Sequence, residues 1–158
     1  MKMLVVLAAV LLTVASIPRE AFGQPEIATW DKDMDKGGDV VDFEAWITET
    51  NRTGKLAVIR GRCWSACAIK LGAKKVCIYP SATIHFHGIH YKGSLEVLHE
   101  DNKLFIATFP LLIQQWIKDN KAMDSVERHV VLTGSTAIQL GIPDCTLVLP
   151  VTSYSPRP

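Results

Sequence analysis

The stretch CWSACAIKLGAKKVCIYPSATIHFHG, residues 63–88, decides the fold prediction. A short apolar run at residues 56–59 precedes it and predicts a buried strand, and residues 65–71 predict a short helix that a glycine ends. Two strand-like runs follow at residues 76–79 and 83–87, separated by a proline-serine turn. This order of elements predicts an α/β domain.

Further elements are predicted on both sides of this stretch. The run GGDVVDFEAWITETNRTG, residues 37–54, predicts a helix that Asp39 caps and Gly54 ends. The others are a turn at Gly61-Arg62, a helical stretch from Ser94 to about Asn120 that Pro110 kinks or restarts, short helices at residues 125–131 and 135–140, and a closing strand at residues 146–149. We expect a mainly parallel sheet with flanking helices.

The first residues predict export. Lys2 is followed by an apolar run over residues 4–14, which has the length of a secretory h-region and is too short to span a bilayer. Small residues allow cleavage after Ser16 or after Gly23, and we prefer the second because Gln24-Pro25 resembles the start of a mature chain. We therefore expect a periplasmic or secreted protein without a stable membrane anchor, with an uncleaved anchor as the lesser alternative.

The expected organisation is a signal peptide at residues 1–23, a lead-in at 24–35 with a brief strand-like EIATW, one α/β domain at 36–150 and a tail at 151–158. The 17 lysines and arginines stand against 16 aspartates and glutamates, which gives a formal net charge of +1. The basic residues are scattered along the chain, and this argues against a nucleic-acid partner.

Ser65 is a candidate nucleophile. At a strand-to-helix turn its hydroxyl can face the end of a sheet, where the N–H groups of the helix start can stabilise an oxyanion. A serine hydroxyl needs a base within hydrogen-bond reach, and His87 at the end of a predicted strand can supply one. The alternative is an ordinary cap, since serine is favoured at helix starts. Trp64 beside it either lines a substrate cleft or packs in the core.

Three segments in this order, GGDVVDFEAW, then residues 63–88, then STAIQLGIPD, resemble the Clp protease proteolytic subunit. They resemble still more the small exported Clp-like proteins of bacteria that carry a Cys-x-Ser-x-Cys segment. The resemblance covers residues 36–144 and implies a Clp/crotonase-like fold, trimmed at its N-terminal side to EIATWDKDMD. It also implies a peptide or an unfolded protein chain as substrate, and it leaves a homo-oligomer open.

The resemblance assigns a role to particular residues. It places the nucleophile at Ser65, the base at His87, and the two backbone N–H groups of the oxyanion hole at Gly38 and Ala66. The family's third catalytic member is an aspartate, and the matching position here is His129. Losing the orienting carboxylate costs about 10⁴ in rate in a serine protease triad.

The missing aspartate leaves two functional hypotheses. In the first, the protein is an exported serine hydrolase, most concretely a peptidase, that uses a Ser-His dyad, with Glu127 or Asp124 as a substitute carboxylate. In the second, it is a catalytically inactive binding or structural protein of the periplasm that keeps the scaffold alone.

The four cysteines predict disulfides, because an even number in an oxidising compartment favours pairing. A bent turn can bring Cys63 to Cys67 if Cys63 precedes the helix, and Cys77 can reach Cys145 if their strands are neighbours. We rank this pair of bridges first, and reduced, packed thiols are the alternative.

A zinc site is a minor alternative that uses some of the same residues. Cys63 and Cys67 could join His85 and His87, which lie on one face of their strand, as four ligands. The cysteine spacing is atypical for structural zinc, and a disulfide would consume both thiolates. We therefore expect no metal or other cofactor, and we expect His85 and His90 to be exposed or satisfied by other partners.

Overall fold

The computed structural model describes residues 24–31 and 35–149. The predicted signal peptide and the C-terminal tail lie outside these residues. Within the described part, no helix combines the length and the apolar character needed to cross a membrane.

Helices and short strands alternate along the domain. The helices are α1 (Val40–Thr53), a 3-10 helix (Ser65–Gly72, here the Ser65 helix), α2 (His99–Ala107), α3 (Leu111–Asp119), α4 (Gly134–Gln139) and α5 (Cys145–Val148). The strands are β1 (Ala57–Ile59), β2 (Arg62–Trp64), β3 (Val76–Ile78), β4 (Thr83–Phe86) and β5 (Val130–Thr133).

The strands form two small sheets. In one, β1 and β3 pair in parallel. In the other, β4 lies between β2, to which it is parallel, and β5, to which it is antiparallel. The predicted α/β class is confirmed, with parallel pairing in two of the three strand pairs of the described residues.

The helix α1 begins and ends as predicted. Asp39 is the N-cap, and its carboxylate accepts a hydrogen bond of 3.0 Å from the N–H of Val41. Gly54 ends the helix in the left-handed conformation with φ +66°. Phe43 is buried on the inner side of this helix and packs against Trp30, with 5.5 Å between the ring centroids.

Residues 94–120 form two separate helices. The first, α2, begins only at His99, because Ser94 lies in a turn in which its Oγ accepts from the N–H of Glu96. The second, α3, restarts after Pro110, which occupies the N-cap position. The predicted restart at the proline is confirmed.

Three other predictions are wrong. Residues 125–131 are not a helix: the β-branched run Val130–Thr133 extends along β4 and buries Leu132. Residues 146–149 are not a strand, because Asp144 accepts hydrogen bonds from the N–H and Oγ of Thr146 and starts α5. Arg62 belongs to β2 rather than to a turn, since Gly61 makes the bend alone with φ +63°.

The core forms around the Ser65 helix, in which residues 66–71 are all buried. Two disulfides strengthen it: Cys63 pairs with Cys67, and Cys77 pairs with Cys145. These are the two bridges that the sequence analysis ranked first. The first joins β2 to the Ser65 helix, and the second joins β3 to α5.

Candidate functional site

The sheet register explains why the predicted site residues come together. Trp64 at the end of β2 pairs with His85 of the parallel strand β4. Ser65 follows β2 and His87 follows β4, so both leave the sheet at the same edge, where the carboxyl ends of parallel strands meet.

Ser65 has an unusual backbone conformation. Its φ is +51°, although residues with a side chain avoid this left-handed region at a cost of roughly 1–2 kcal/mol. The Cys63–Cys67 disulfide closes a small covalent ring around it. Backbone strain of this kind is often found at functional sites, where the surrounding structure enforces it.

The diglycine lies directly against Ser65. A Cβ atom added to Gly37 would come within 2.9 Å of the Ser65 Cβ and 3.0 Å of the Trp64 carbonyl oxygen. Gly37 also has a φ of +82°, so both space and backbone conformation require glycine there. Gly38, the predicted first oxyanion donor, is the next residue in the chain.

Ala66, the predicted second oxyanion donor, lies in the first turn of the Ser65 helix and is 2 % exposed. The first N–H groups of a helix have no acceptor within the helix. The N-cap residue here is Trp64, whose side chain makes no capping hydrogen bond.

His87 is half-buried and held by a backbone carbonyl. Its Nδ1 lies 2.9 Å from the carbonyl oxygen of Gly88. A carbonyl oxygen can only accept, so Nδ1 carries the proton and Nε2 has the free lone pair of a base. Burial lowers the pKa of His87 below its ordinary value, partly offset by the Gly88 carbonyl, and the nearby His129 and His90 lower it further.

Gly88 is itself fixed on both sides. Its N–H donates to the Ser125 carbonyl over 2.8 Å, and an added Cβ would lie 2.7 Å from Val97 Cγ2 and 3.0 Å from the Met123 carbonyl oxygen. This orienting group was not predicted from the sequence, because a backbone acceptor has no side chain to mark it. The signal that was present is the glycine that follows the histidine in HFHG.

A cavity of about 10 Å³ joins these groups, which is room for about one water molecule. It is lined by three of the predicted site residues, Ser65, Ala66 and His87, and by apolar side chains of Val40, Phe86, Ile89, Phe105 and Met123. Among the described residues, Ser65 makes no hydrogen bond to His87. A nucleophile and its base often reach hydrogen-bond distance only with a substrate bound.

His129, which the resemblance matches to a catalytic aspartate, lies beside the predicted base. The His129 and His87 ring centroids are 5.2 Å apart. Glu127 and Asp124, the suggested substitutes, are exposed, and within the described chain neither bonds to His87. The Gly88 carbonyl is therefore the acceptor at Nδ1, and no carboxylate is.

Other imidazoles surround this pair. Trp64 is partly exposed and stacks on His85 with centroids 3.9 Å apart, and its edge meets His129 at 5.2 Å. The Nε2 of His85 lies 3.1 Å from the Thr83 hydroxyl, and Nδ1 of His90 lies 2.9 Å from the Tyr91 carbonyl oxygen. As expected, His85 and His90 have polar partners of their own.

The zinc hypothesis loses its thiolate ligands, because Cys63 and Cys67 are joined to each other. Across residues 24–31 and 35–149, no group of three or more histidine, cysteine or acidic side chains is arranged to hold a metal ion.

Comparison with models of protein families and with curated proteins finds no match for this chain.

Proposed function

We propose that the protein is an exported serine hydrolase of Clp/crotonase-like fold that cleaves peptides or unfolded chains. The observation that carries this proposal is the strained Ser65, which shares a small cavity with a histidine whose tautomer is fixed for base catalysis.

The roles follow from the free atoms of each group. The Ser65 Oγ attacks the substrate carbonyl carbon while its proton passes to Nε2 of His87. The oxyanion that forms is stabilised by the N–H groups of Gly38 and Ala66. His87 then gives the proton to the leaving amine, and the C–N bond breaks. Water, activated by the same Nε2, hydrolyses the acyl-enzyme and regenerates the Ser65 hydroxyl.

The Gly88 carbonyl takes over one of the two roles that the aspartate has in a catalytic triad. It fixes the ring orientation and the tautomer of His87, as the carboxylate of a triad does. It does not neutralise the imidazolium that forms during attack, and His129 and His90 disfavour that positive charge. We therefore expect a slower enzyme than one with a full triad.

The small cavity limits which part of the substrate enters. The cavity has room for about one water molecule, so we expect an extended chain to lie across its rim with the reacting carbonyl directed toward Ser65. Trp64, with its ring partly exposed between two imidazoles, is a surface for substrate side chains there. No ATP-driven unfoldase is expected outside the cytoplasm, so the substrate arrives already extended.

A binding protein without catalysis is the second candidate. It is favoured by the imidazole of His129 at the position of the family carboxylate. The lack of a Ser65–His87 hydrogen bond in the described structure points the same way.

Labelling with a fluorophosphonate probe distinguishes the serine hydrolase from the binding protein without catalysis. The Ser65 Oγ should displace fluoride from phosphorus, and Ser65→Ala should abolish labelling, whereas Ser81→Ala, a change of an exposed serine, should leave it unchanged. His87→Gln should slow labelling by about 10²- to 10⁴-fold, and His99→Gln on the surface should not. A parent protein that takes up no probe, or a Ser65→Ala variant labelled as fast as the parent, would contradict the hydrolase.

A further inference from the structure

Lys70 is a charged residue in the core, later in the helix that Ser65 begins. It is 3 % exposed. Its Nζ lies 3.1 Å from Oδ1 of Asp35 and 3.5 Å from the centroid of the Trp30 ring. The same Oδ1 accepts a hydrogen bond of 2.7 Å from Nε1 of Trp30. The three side chains therefore form one polar cluster, here the Lys70 cluster.

Such a cluster is a costly way to stabilise a fold. Burying an ammonium group removes its hydration, and a buried ion pair rarely exceeds a well-packed apolar residue in stability. The surrounding residues 66–69 and 71 are apolar, so a methionine would fit the composition at position 70. The cluster therefore calls for an explanation other than stability.

Its placement suggests one. Asp35 begins the short turn that leads into Gly37, and Gly37 touches Ser65. The ion pair thus ties the chain before the diglycine to the helix that carries the nucleophile. Asp35 Oδ1 also lies 3.6 Å from Sγ of Cys67 in the same helix, and the ion pair to Lys70 is the charged contact between these two sides of the site.

We propose that Lys70 and Asp35 are positioning residues, whose ion pair holds Gly37 and Gly38 against the Ser65 turn and so keeps the oxyanion hole assembled. This inference rests on the proposed hydrolase function.

We call the ion pair between Lys70 and Asp35 the clamp. Because it depends on the charge of Lys70, the labelling rate should change with pH in the opposite direction to the stability of the fold. Burial lowers the pKa of Lys70 to about 8, opposed by Asp35 and reinforced slightly by the positive charge of Arg60. Above pH 8 the folded protein loses this charge and the ion pair weakens. The unfolded chain keeps the proton up to about 10.5, so this group makes folding more favourable as pH rises from 8 to 10.5. Activity and stability should therefore move in opposite directions.

The test combines the fluorophosphonate labelling rate with the backbone amide resonances of Gly37 and Gly38, measured on either side of pH 8. Lys70→Met should move both resonances and slow labelling by about tenfold or more, because a misplaced donor costs rate steeply. Lys70→Arg should hold the labelling rate above pH 8, where the parent protein loses it. Lys55→Met removes the 2.7 Å ion pair to Glu26 in the lead-in and is the matched control, with no effect on labelling.

Unchanged Gly37 and Gly38 resonances in a folded Lys70→Met protein would overturn the clamp. So would a labelling rate that falls above pH 8 equally in Lys70→Arg and in the parent. If Lys70→Arg does not fold, Asp35→Asn replaces it and should match Lys70→Met in both readouts. A parent protein that takes no probe, but whose Gly37 and Gly38 resonances respond to Lys70→Met, would contradict the hydrolase and support the clamp.

Discussion

Ser65 adopts its left-handed backbone with help from two neighbours, the disulfide around it and the glycine beside it. A single substitution can test Gly37, because a Cβ atom added there would lie 2.9 Å from the Ser65 Cβ. Gly93 provides the comparison, since it has the same φ of +82° and open space around it.

We expect Gly93→Ala to lower the free energy of unfolding by about 1 kcal/mol, from backbone strain alone. Gly37→Ala should lower it further and also abolish most labelling, because the methyl group displaces the Ser65 turn. Chemical denaturation and labelling rates measure the two effects. Equal labelling in both variants would show that the diglycine does not support the nucleophile.

The pKa of His87 sets the acid limit of labelling, which is the pH below which the fluorophosphonate labelling rate falls. Burial lowers it, so the imidazole is neutral and basic throughout the range above its ordinary value of 6.5. The labelling rate should therefore be half-maximal at a pH below 6.5. The depressed pKa also stabilises the fold above pH 6.5, and this contribution is lost as pH falls through the folded pKa. His129→Gln removes one of the influences that lower the pKa of His87 and should move the acid limit to higher pH.

The expected pH profile has a direct check in the imidazole resonances of His87. A pKa at or above 6.5 by this measurement would contradict the burial that the structure gives this ring.

At this scale the sequence predicted the side chains of the site better than its backbone. Ser65 and His87 were predicted to lie together because their chemistry and their positions at element ends are visible in the sequence, and both line one cavity in the structure. The Gly88 carbonyl was not predicted, since every residue has a backbone carbonyl and only the folded structure shows which one lies next to His87. The burial of Lys70 was also hidden, because a lone lysine between apolar residues resembles a surface residue.

Among the elements, the Cys63–Cys67 bridge joins β2 to the first turn of the Ser65 helix, while the Cys77–Cys145 bridge joins β3 to α5, and neither of its cysteines lines the cavity. Both bridges are fully buried. Their loops differ greatly in length, with sequence separations of 4 and 68. Stability and site geometry should therefore depend on different bridges.

Replacing Cys77 and Cys145 by alanine should cost roughly 4 kcal/mol in the free energy of unfolding, and replacing Cys63 and Cys67 roughly 2 kcal/mol, by loop entropy. Labelling should follow the opposite order, with the larger loss when the ring around Ser65 is opened. Denaturation curves and labelling rates of both double variants, taken where each is folded, measure this. Labelling unaffected by the loss of Cys63–Cys67 would contradict a role for that bridge at the site.

Element prediction succeeded where local signals agreed with the fold. Asp39, Gly54 and Pro110 mark helix boundaries by their own backbone chemistry, and the structure follows them. It failed at residues 130–133, where the tertiary contact beside β4 decides for a strand. It also failed at residues 145–148, where the apolar run was read as a strand although the local cap by Asp144 starts a helix. Short apolar segments do not distinguish helix from strand by pattern alone.

At the scale of the described chain, the core surrounds the Ser65 helix. The first residue of that helix, Ser65, lies at the sheet edge where β2 and β4 end. The two disulfides fit an oxidising compartment, as the predicted export requires. The α/β class could be predicted from the order of elements. The division into two small sheets, and the antiparallel β5, could not, because strand pairing joins segments far apart in sequence.

The proposed reactivity of the Ser65 hydroxyl is tested most directly by mapping the probe adduct. Fragmentation mass spectrometry of the labelled, digested protein should place the phosphonate on Ser65 and on no other serine. An adduct on another residue, or an unmodified Ser65 peptide after long exposure to the probe, would contradict it.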